Sequence, residues 1–288
     1  MNNITYKLHI NKEGELRKDL EKLNFSFQSA KYAFWRSSKE GITITFYKSG
    51  KLLIQGDKTS DLINYLIEKG FIKVPGNIAY SKWIGTDESG KGDYFGPLVA
   101  AGVYIKNEDD EERLKDMGVR DCKKLSNGRI IEIAKLIKRN FIYSIVLIGP
   151  EKYNELYEKL KNLNRILAWA HSRVIENILQ KVDCPYVLTD QFGDKNYILN
   201  ALMEKGKQIF IQQMPKAEED IAVASASILA RAEFLLKLES LSNDIKIELP
   251  RGSSFKVKEV AKEIVEKRGK NILKKVAKIH FKITKDII

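Results

Sequence analysis

The chain has 288 residues, and its 43% of hydrophobic residues are enough for a sizeable core in one large domain or two unequal ones. Its 50 Lys and Arg residues against 38 Asp and Glu residues leave a net charge of +12, which favours a polyanionic partner. The two cysteines are too few for a disulfide framework, no signal-peptide pattern is present, and no apolar run approaches the roughly 18 residues that span a bilayer. We therefore expect a soluble cytoplasmic monomer with no membrane partner.

Residues 1–74 have the pattern of a small α+β domain with a curved antiparallel sheet. A strand-like run precedes a predicted helix in which Leu16, Leu20 and Leu23 share one face. Three or four strand-like runs with tight glycine turns follow, and a helical pattern at residues 59–71 ends the domain.

One predicted strand of this domain is rich in large side chains that suit a duplex. It contains Tyr32, Phe34, Trp35 and Arg36. Because strand residues alternate between two faces, we expect inward packing to account for at least half of these aromatics. The outward half is a candidate for contact with a minor groove.

Residues 75–80 contain a Pro-Gly pair without any periodic pattern, which indicates a linker. In residues 81–288, apolar runs typical of buried strands alternate with helical patterns, so we expect an α/β domain with a mixed sheet. One helical pattern runs from about Pro150 to Val182, and it includes Trp169 and His171, which we interpret as core residues or supports of a site.

Acidic residues lie at the ends of two predicted buried strands. Asp87 and Glu88 end one strand and Asp190 ends another. An ionised carboxylate is costly there unless a positive charge compensates it. Because adjacent strand residues point to opposite faces, Asp87 and Glu88 can share one ion only if the strand bends.

A third group of acids, Glu218, Glu219 and Asp220, begins a predicted helix, where acids also offset the helix dipole. Capping or solvation explains any one of these acids alone, but clusters of carboxylates in an α/β domain favour Mg²⁺ or Mn²⁺. Two such ions can stabilise both the attacking and the leaving oxygen in phosphodiester hydrolysis. This chemistry also explains the basic character of the chain.

The glycine-rich stretch GTDESGKGDYFGP, residues 85–97, is a weak match to nucleotide-binding loops. No Ser or Thr follows Lys91, as a Walker loop requires. Gly90, Gly92 and Gly96 fit the spacing of the dinucleotide fingerprint, but an aromatic pair stands where its helix should begin. A turn with positive φ remains an alternative explanation for the glycines.

Five motifs occur in order between residues 85 and 257, namely GTDESGKGDYFGPLVAAGVYI, DCKKLS, YVLTDQFG, KAEEDIAVASASILAR and LPRGSSFKV. They resemble the motifs of the type 2 ribonucleases H, and the Gly-Lys-Gly loop with a glutamate as fourth acid is the pattern of ribonuclease HIII. Residues 1–74 resemble the TATA-binding-protein-like domain of that subfamily. The resemblance covers essentially the whole chain and implies a ribonuclease H-like mixed sheet flanked by helices in residues 81–288.

The resemblance implies an endonuclease that hydrolyses the RNA strand of RNA/DNA hybrids with Mg²⁺ or Mn²⁺ and leaves 5′-phosphate and 3′-hydroxyl ends. The catalytic and metal-binding acids would be Asp87, Glu88, Asp190 and Glu218. Glu219 is the alternative for the fourth position, because the interval before ASI is one residue shorter than in the family pattern.

The resemblance also implies which residues contact the substrate: Gly90, Lys91, Gly92, Lys123 and Lys124. Glycines allow close approach of the backbone to the 2′-hydroxyl, the group that distinguishes RNA from DNA. The lysines are candidate phosphate contacts. Cys122 stands where the family has a serine, which leaves the contribution of that hydroxyl open.

Two other functions remain possible at this point. One is incision at single embedded ribonucleotides, as in ribonuclease HII. The other is a catalytically silent protein that binds hybrids, although a pure binder would gain from losing acids near phosphates.

Overall fold

The computed structural model describes residues 2–56, 59, 62–63, 65–66, 69–72, 82–120, 122, 125–203 and 205–288. The chain divides into two compact units, Met1–Lys82 with Gln208–Phe210, and Trp83–Lys207 with Ile211–Ile288. The predicted linker at residues 75–80 and part of the predicted helix at 59–71 lie outside the described residues. No helix in the described ranges is long and apolar enough to cross a bilayer.

The first unit contains a five-stranded antiparallel sheet, in the order β1-β5-β4-β3-β2. Leu16 and Leu20 of the helix are buried as predicted, whereas Leu23 is only half-buried at the helix end. The elements are β1 (Asn2–Lys7), α1 (Glu13–Lys22), β2 (Ser26–Gln28), β3 (Ala33–Lys39), β4 (Ile42–Tyr47) and β5 (Lys51–Gly56).

Strand β3 separates its large side chains between two faces. Trp35 is buried, donates from Nε1 to Glu13 Oε1 at 2.6 Å, and meets the ring of Phe27 edge-on. Phe34 and Arg36 are exposed on the strand. The alternation between an inward and an outward face is confirmed for residues 34–36. The placement of Tyr32 on this strand was wrong, because Tyr32 precedes β3 with a left-handed φ of 62° and is exposed, so Trp35 is the one inward-packed ring of the three predicted aromatics.

The second unit is built on a mixed sheet in the order β10-β9-β6-β7-β8. The central strand β6 pairs antiparallel with β7 and parallel with β9, and β7 pairs antiparallel with β8. Its strands are β6 (Trp83–Ser89), β7 (Leu98–Ile105), β8 (Tyr143–Ile148), β9 (Tyr186–Asp190) and β10 (Phe210–Met214).

The second unit also contains helices, the last three of which lie in the C-terminal segment after residue 251. They are α2 (Glu108–Asp116), α3 (Asn127–Asn140), α4 (Pro150–Leu160), α5 (Leu163–Leu179), α6 (Lys195–Ala201), α7 (Ile221–Ile245), α8 (Phe255–Arg268), α9 (Leu273–Val276) and α10 (Lys282–Ile287). A short 3-10 turn, Ala217–Glu219, precedes α7.

The prediction of one helical stretch from about Pro150 to Val182 was wrong, because the chain forms two helices there. Lys161 adopts a left-handed conformation with φ of 50° and ends α4. The Asn162 side chain then caps α5 by accepting from the backbone N–H groups of Asn164 and Arg165. The side-chain cap at Asn162 therefore begins a new helix at a point where the apolar pattern alone predicts an uninterrupted one.

Two helices cover opposite faces of the central strands. A Cβ added to Gly85 on β6 would lie 2.2 Å from the backbone nitrogen of Val223, so α7 packs directly on this strand. A Cβ added to Gly102 on β7 would lie 2.6 Å from Val174 of α5. Gly102 is paired with Thr86, which points to the face opposite that of Gly85. The end of β6 is therefore enclosed by α7 on one side and α5 on the other.

Candidate active site

The four predicted acids line a single cleft of about 620 Å³ at the end of β6. Strand β6 supplies Asp87 and Glu88, the neighbouring parallel strand β9 supplies Asp190, and the turn before α7 supplies Glu218. The ends of adjacent parallel strands meet at one edge of a sheet, which explains why acids distant in sequence share a cleft.

Asp87 points to the face that α7 covers. Its carboxylate accepts from the side chain of Ser227 on α7 and from the backbone N–H of Glu88. Burial, followed by the negative charge of Glu88, raises the pKa of Asp87 to about 8. Cys122 Sγ lies 3.2 Å from Ser227 Oγ, so the residue that replaces the family serine reaches Asp87 through Ser227.

Glu88 points to the opposite face and is oriented by a buried histidine on α5. His171 Nε2 donates to Glu88 Oε2 at 3.1 Å, because an ionised carboxylate can only accept. His171 Nδ1 lies 3.0 Å from Thr86 Oγ1, and Lys91 Nζ donates to Glu88 Oε1 at 3.2 Å. Burial raises the pKa of Glu88, but His171 and Lys91 together outweigh burial and leave this pKa below its ordinary value.

The interpretation of His171 as a core residue or support is confirmed, since it is fully buried and bonded to Glu88. The same interpretation is wrong for Trp169, which is 42% exposed. The two residues lie two positions apart on α5 and therefore point in different directions.

Asp190 and Glu218 form the other side of the acidic cluster. Asp190 Oδ1 accepts from the backbone N–H of Ala217 at 3.1 Å, which ties β9 to the turn that carries Glu218. Burial raises the pKa of Asp190, and the charges of Glu218 and Glu88 add to this effect.

The two neighbouring glutamates of this turn differ in their surroundings. Glu218 is half-buried and lines the cleft, whereas Glu219 is exposed and is not among the lining residues. Asp220 caps α7 by accepting from the N–H groups of Ala222 and Val223. The structure thus favours Glu218 over Glu219 as the fourth acid.

The glycine-rich loop, residues 90–92, forms one wall of the cleft. Gly90 has a φ of 93°, and a Cβ there would lie 2.2 Å from the carbonyl oxygen of Pro97, so the fold itself requires glycine. Gly92 has no atom within 4 Å of an added Cβ and no positive φ. The turn explanation therefore accounts for Gly90 but not for Gly92.

Two arginines that the sequence did not single out line the same cleft, Arg231 on α7 and Arg251 before α8. Burial, followed by the charge of Arg251, lowers the pKa of Arg231. Arg231 follows Ser227 by four positions and therefore lies on the same face of α7, but the contact of Ser227 with Asp87 is visible only in the structure. Lys123 and Lys124 lie outside the described residues.

The donor set suits a hard divalent cation. It consists of carboxylate oxygens, and the raised pKa values of Asp87 and Asp190 show that negative charge is buried there without full compensation. In the described part of the chain, no three acids, histidines or cysteines converge as a preformed metal cluster.

Comparisons with known proteins agree with this architecture. The family model for ribonuclease HII matches residues 84–284. Ribonuclease HIII of Protochlamydia amoebophila is 43% identical over 274 residues, which cover 93% of this chain and 91% of that protein. Ribonuclease HIII of Chlamydia pneumoniae is 37% identical over 281 residues, with coverages of 96% and 94%.

Solved structures are similar over nearly the full length. Bst-RNase HIII in complex with Mn²⁺ has a TM-score of 0.67 at 27% identity and covers 99% of this chain and 98% of its own. Aquifex aeolicus RNase H3 has a TM-score of 0.62 at 28% identity, with coverages of 96% and 99%. The fold is therefore the ribonuclease H-like mixed sheet with an additional N-terminal α+β domain, and the chain belongs to the ribonuclease HIII family.

Proposed function

We propose that this chain is an endonuclease that hydrolyses the RNA strand of RNA/DNA hybrids, with Mg²⁺ or Mn²⁺ as cofactor, and leaves 5′-phosphate and 3′-hydroxyl ends. The observation that carries the proposal is the single cleft in which four carboxylates from β6, β9 and the turn before α7 face the glycine-rich loop. Family membership and the Mn²⁺ complex of the Bst enzyme support the same activity.

The metal-binding residues are Asp87, Glu88, Asp190 and Glu218. When bound, divalent cations in such sites activate water and offset the charge that develops on the phosphodiester. Ser227 and His171 hold the carboxylates of Asp87 and Glu88 in fixed orientations, so less reorganisation is needed as charge develops. Arg231 and Arg251 supply positive charge to the same cleft and suit substrate phosphates.

We assign substrate reading to Gly90, Lys91 and Gly92, and phosphate contact to Lys123 and Lys124. The open space beside Gly92 supports this assignment, since the free protein has room for a side chain there. The fold does not require glycine at position 92, whereas close approach of a duplex to the backbone would require it.

Gly92→Ala is expected to raise KM for the hybrid about tenfold or more, because displacing a substrate by roughly 1 Å can be very costly. Its thermal stability should be unchanged or slightly higher, since no atom lies near the added methyl group. Gly90→Ala is a contrasting variant for stability and should lose about 1–3 kcal/mol or more, because its positive φ and the nearby carbonyl of Pro97 disfavour a side chain. Unfolding curves and steady-state kinetics of both variants provide the measurement, and an unchanged KM for Gly92→Ala would remove the substrate-reading role.

We assign residues 1–74 to substrate binding as a TATA-binding-protein-like domain, joined by residues 75–80 to the catalytic domain at 81–288. The exposed side chains of Phe34 and Arg36 on β3 support this role. An aromatic ring and a guanidinium on one strand can contact sugar and phosphate in a minor groove.

The double substitution of Phe34 and Arg36 to Ala should raise KM roughly tenfold with little change in kcat, because each group contributes binding outside the reacting centre. Ser26→Ala, on the edge strand β2, is a control at another exposed position of the same domain. Kinetics on one hybrid substrate test this expectation. A fall in kcat at unchanged KM contradicts a role in binding.

One experiment separates the activity from its alternatives. A continuous RNA/DNA hybrid and a DNA duplex with one embedded ribonucleotide are each incubated with Mg²⁺, Mn²⁺ or a chelator. Metal-dependent cleavage of the continuous hybrid supports the proposal. Cleavage of only the second substrate supports ribonuclease HII-like incision, and binding without cleavage supports a silent hybrid-binding protein.

A further inference from the structure

A lysine without access to solvent lies beneath the turn that follows the glycine-rich loop. Lys278 is fully buried, and its Nζ donates to the backbone oxygens of Asp93 at 2.7 Å and Gly96 at 2.9 Å. Burial lowers the pKa of Lys278 to about 7, and the Asp93 carboxylate offsets part of this effect. Burying an ammonium group is costly, so its presence here calls for a specific role.

The backbone around Lys278 is tied to the same turn. Lys278 N–H donates to the carbonyl oxygen of Tyr94 at 2.8 Å, and Gly96 N–H donates to that of Val276 at 2.9 Å. The ammonium group and the backbone N–H of Lys278 thus bind carbonyl groups of the turn, and the turn itself donates one N–H to the C-terminal segment. The turn at residues 93–96 is therefore held by the C-terminal segment.

The turn is in direct contact with the glycine-rich loop. Asp93 N–H donates to the carbonyl oxygen of Gly90 at 3.3 Å, and Asp93 Oδ1 accepts from the N–H of Gly252 at 2.7 Å. Asp93 itself lines the cleft. A shift of the Asp93 backbone would thus be passed to Gly90 and its neighbours.

Asn154 on α4 holds the C-terminal segment from its other side. Its Nδ2 donates to the carbonyl oxygens of Lys274 at 3.2 Å and Ala277 at 2.9 Å. Its Oδ1 accepts from the N–H of Ile279 at 3.0 Å. Three bonds from one side chain fix the segment that carries Lys278.

We propose that Lys278, anchored through Asn154, is a positioning residue that holds the glycine-rich loop in the conformation that distinguishes the RNA strand from DNA. This inference rests on the proposed function, in which residues 90–92 read the ribose. Lys278 acts through the turn at 93–96 and does not itself touch substrate.

The test measures the dissociation constants of the full-length protein for an RNA/DNA hybrid and for a DNA duplex of the same sequence, in chelator. Lys278→Met should weaken hybrid binding about tenfold and leave DNA binding unchanged, so the preference for hybrid falls. Lys275→Met, which removes an exposed lysine from the same segment, is the matched control and should keep the preference. A purely structural role would lower the active fraction and affect both nucleic acids equally.

Asn154→Asp provides a second variant if Lys278→Met does not fold, because it removes two donor bonds to the segment at little change in volume. A smaller loss of hybrid preference, about threefold, is expected. If the folded variants keep the preference for hybrid over DNA, Lys278 is not a positioning residue. Substrate reading by the loop is tested separately by Gly92→Ala. If the unmodified protein neither prefers nor cleaves the hybrid, the proposed function fails instead.

Discussion

Asp87→Asn should lose roughly 10²-fold or more in kcat on the RNA/DNA hybrid while its affinity for the hybrid is retained. The substitution keeps the size of the side chain and a polar group near Ser227, but it removes a negative charge that a divalent cation requires. Single-turnover cleavage and equilibrium binding, measured on the same preparation, separate the two effects.

The same substitution should not reduce stability in the absence of metal. The pKa of Asp87 is raised from 3.8 to about 8, so the ionised form is disfavoured in the folded state. The contribution of Asp87 to stability is therefore present at low pH and is lost as the pH rises from about 4 to about 8. In chelator, the stability of Asp87→Asn should depend less on pH across this range. At about pH 8 the variant should be at least as stable as the parent protein.

Addition of Mn²⁺ provides the control for that measurement. The parent protein should gain thermal stability from the ion, because binding to the folded state alone is stabilising, and Asp87→Asn should gain less. Ser225→Ala, a buried position on the same helix as Ser227 that does not line the cleft, should keep the full response. Retained turnover together with a normal Mn²⁺ response in Asp87→Asn would exclude Asp87 as a metal ligand.

Replacing Glu218 and Glu219 singly with Gln should produce very unequal variants. Glu218→Gln is expected to lose roughly 10²-fold in kcat, because Glu218 lines the cleft and its charge acts on Asp190. Glu219→Gln should remain within about twofold of the parent rate, since surface substitutions away from a site have small effects. Cleavage assays at saturating Mg²⁺ and hybrid measure both rates.

The matched pair is informative because both substitutions are neutralising and adjacent in the chain. The metal concentration that gives half-maximal activity should rise for Glu218→Gln and stay constant for Glu219→Gln. Equal mild losses would mean that neither glutamate holds metal, and a reversed order would assign the fourth position to Glu219.

Much of the fold follows from local patterns that the sequence displays. Apolar runs that end in acids mark β6 and β9, and the helical stripe of Leu16 and Leu20 identifies α1. The break between α4 and α5 was missed, because the apolar pattern continues across Asn162 while its side chain begins a new helix. A cap depends on backbone conformation, which periodicity does not report.

By itself, the sequence singled out Asp87, Glu88 and Asp190 as candidate acids and left the fourth open between Glu218 and Glu219. It also indicated the glycine-rich loop and an oxygen-only ligand chemistry, because residue types and their order carry this information. Only the tertiary structure decided that Glu218 faces the cleft and that His171 supports Glu88. It also decided that Lys278 lies beneath the turn after the loop. The partners in the His171–Glu88 contact are separated by 83 positions in the sequence, and those in the Lys278–Asp93 contact by 185 positions. Such pairs form only when distant elements of the chain pack together. Local spacing limits which residues share a face, but the packing of distant elements selects the partners.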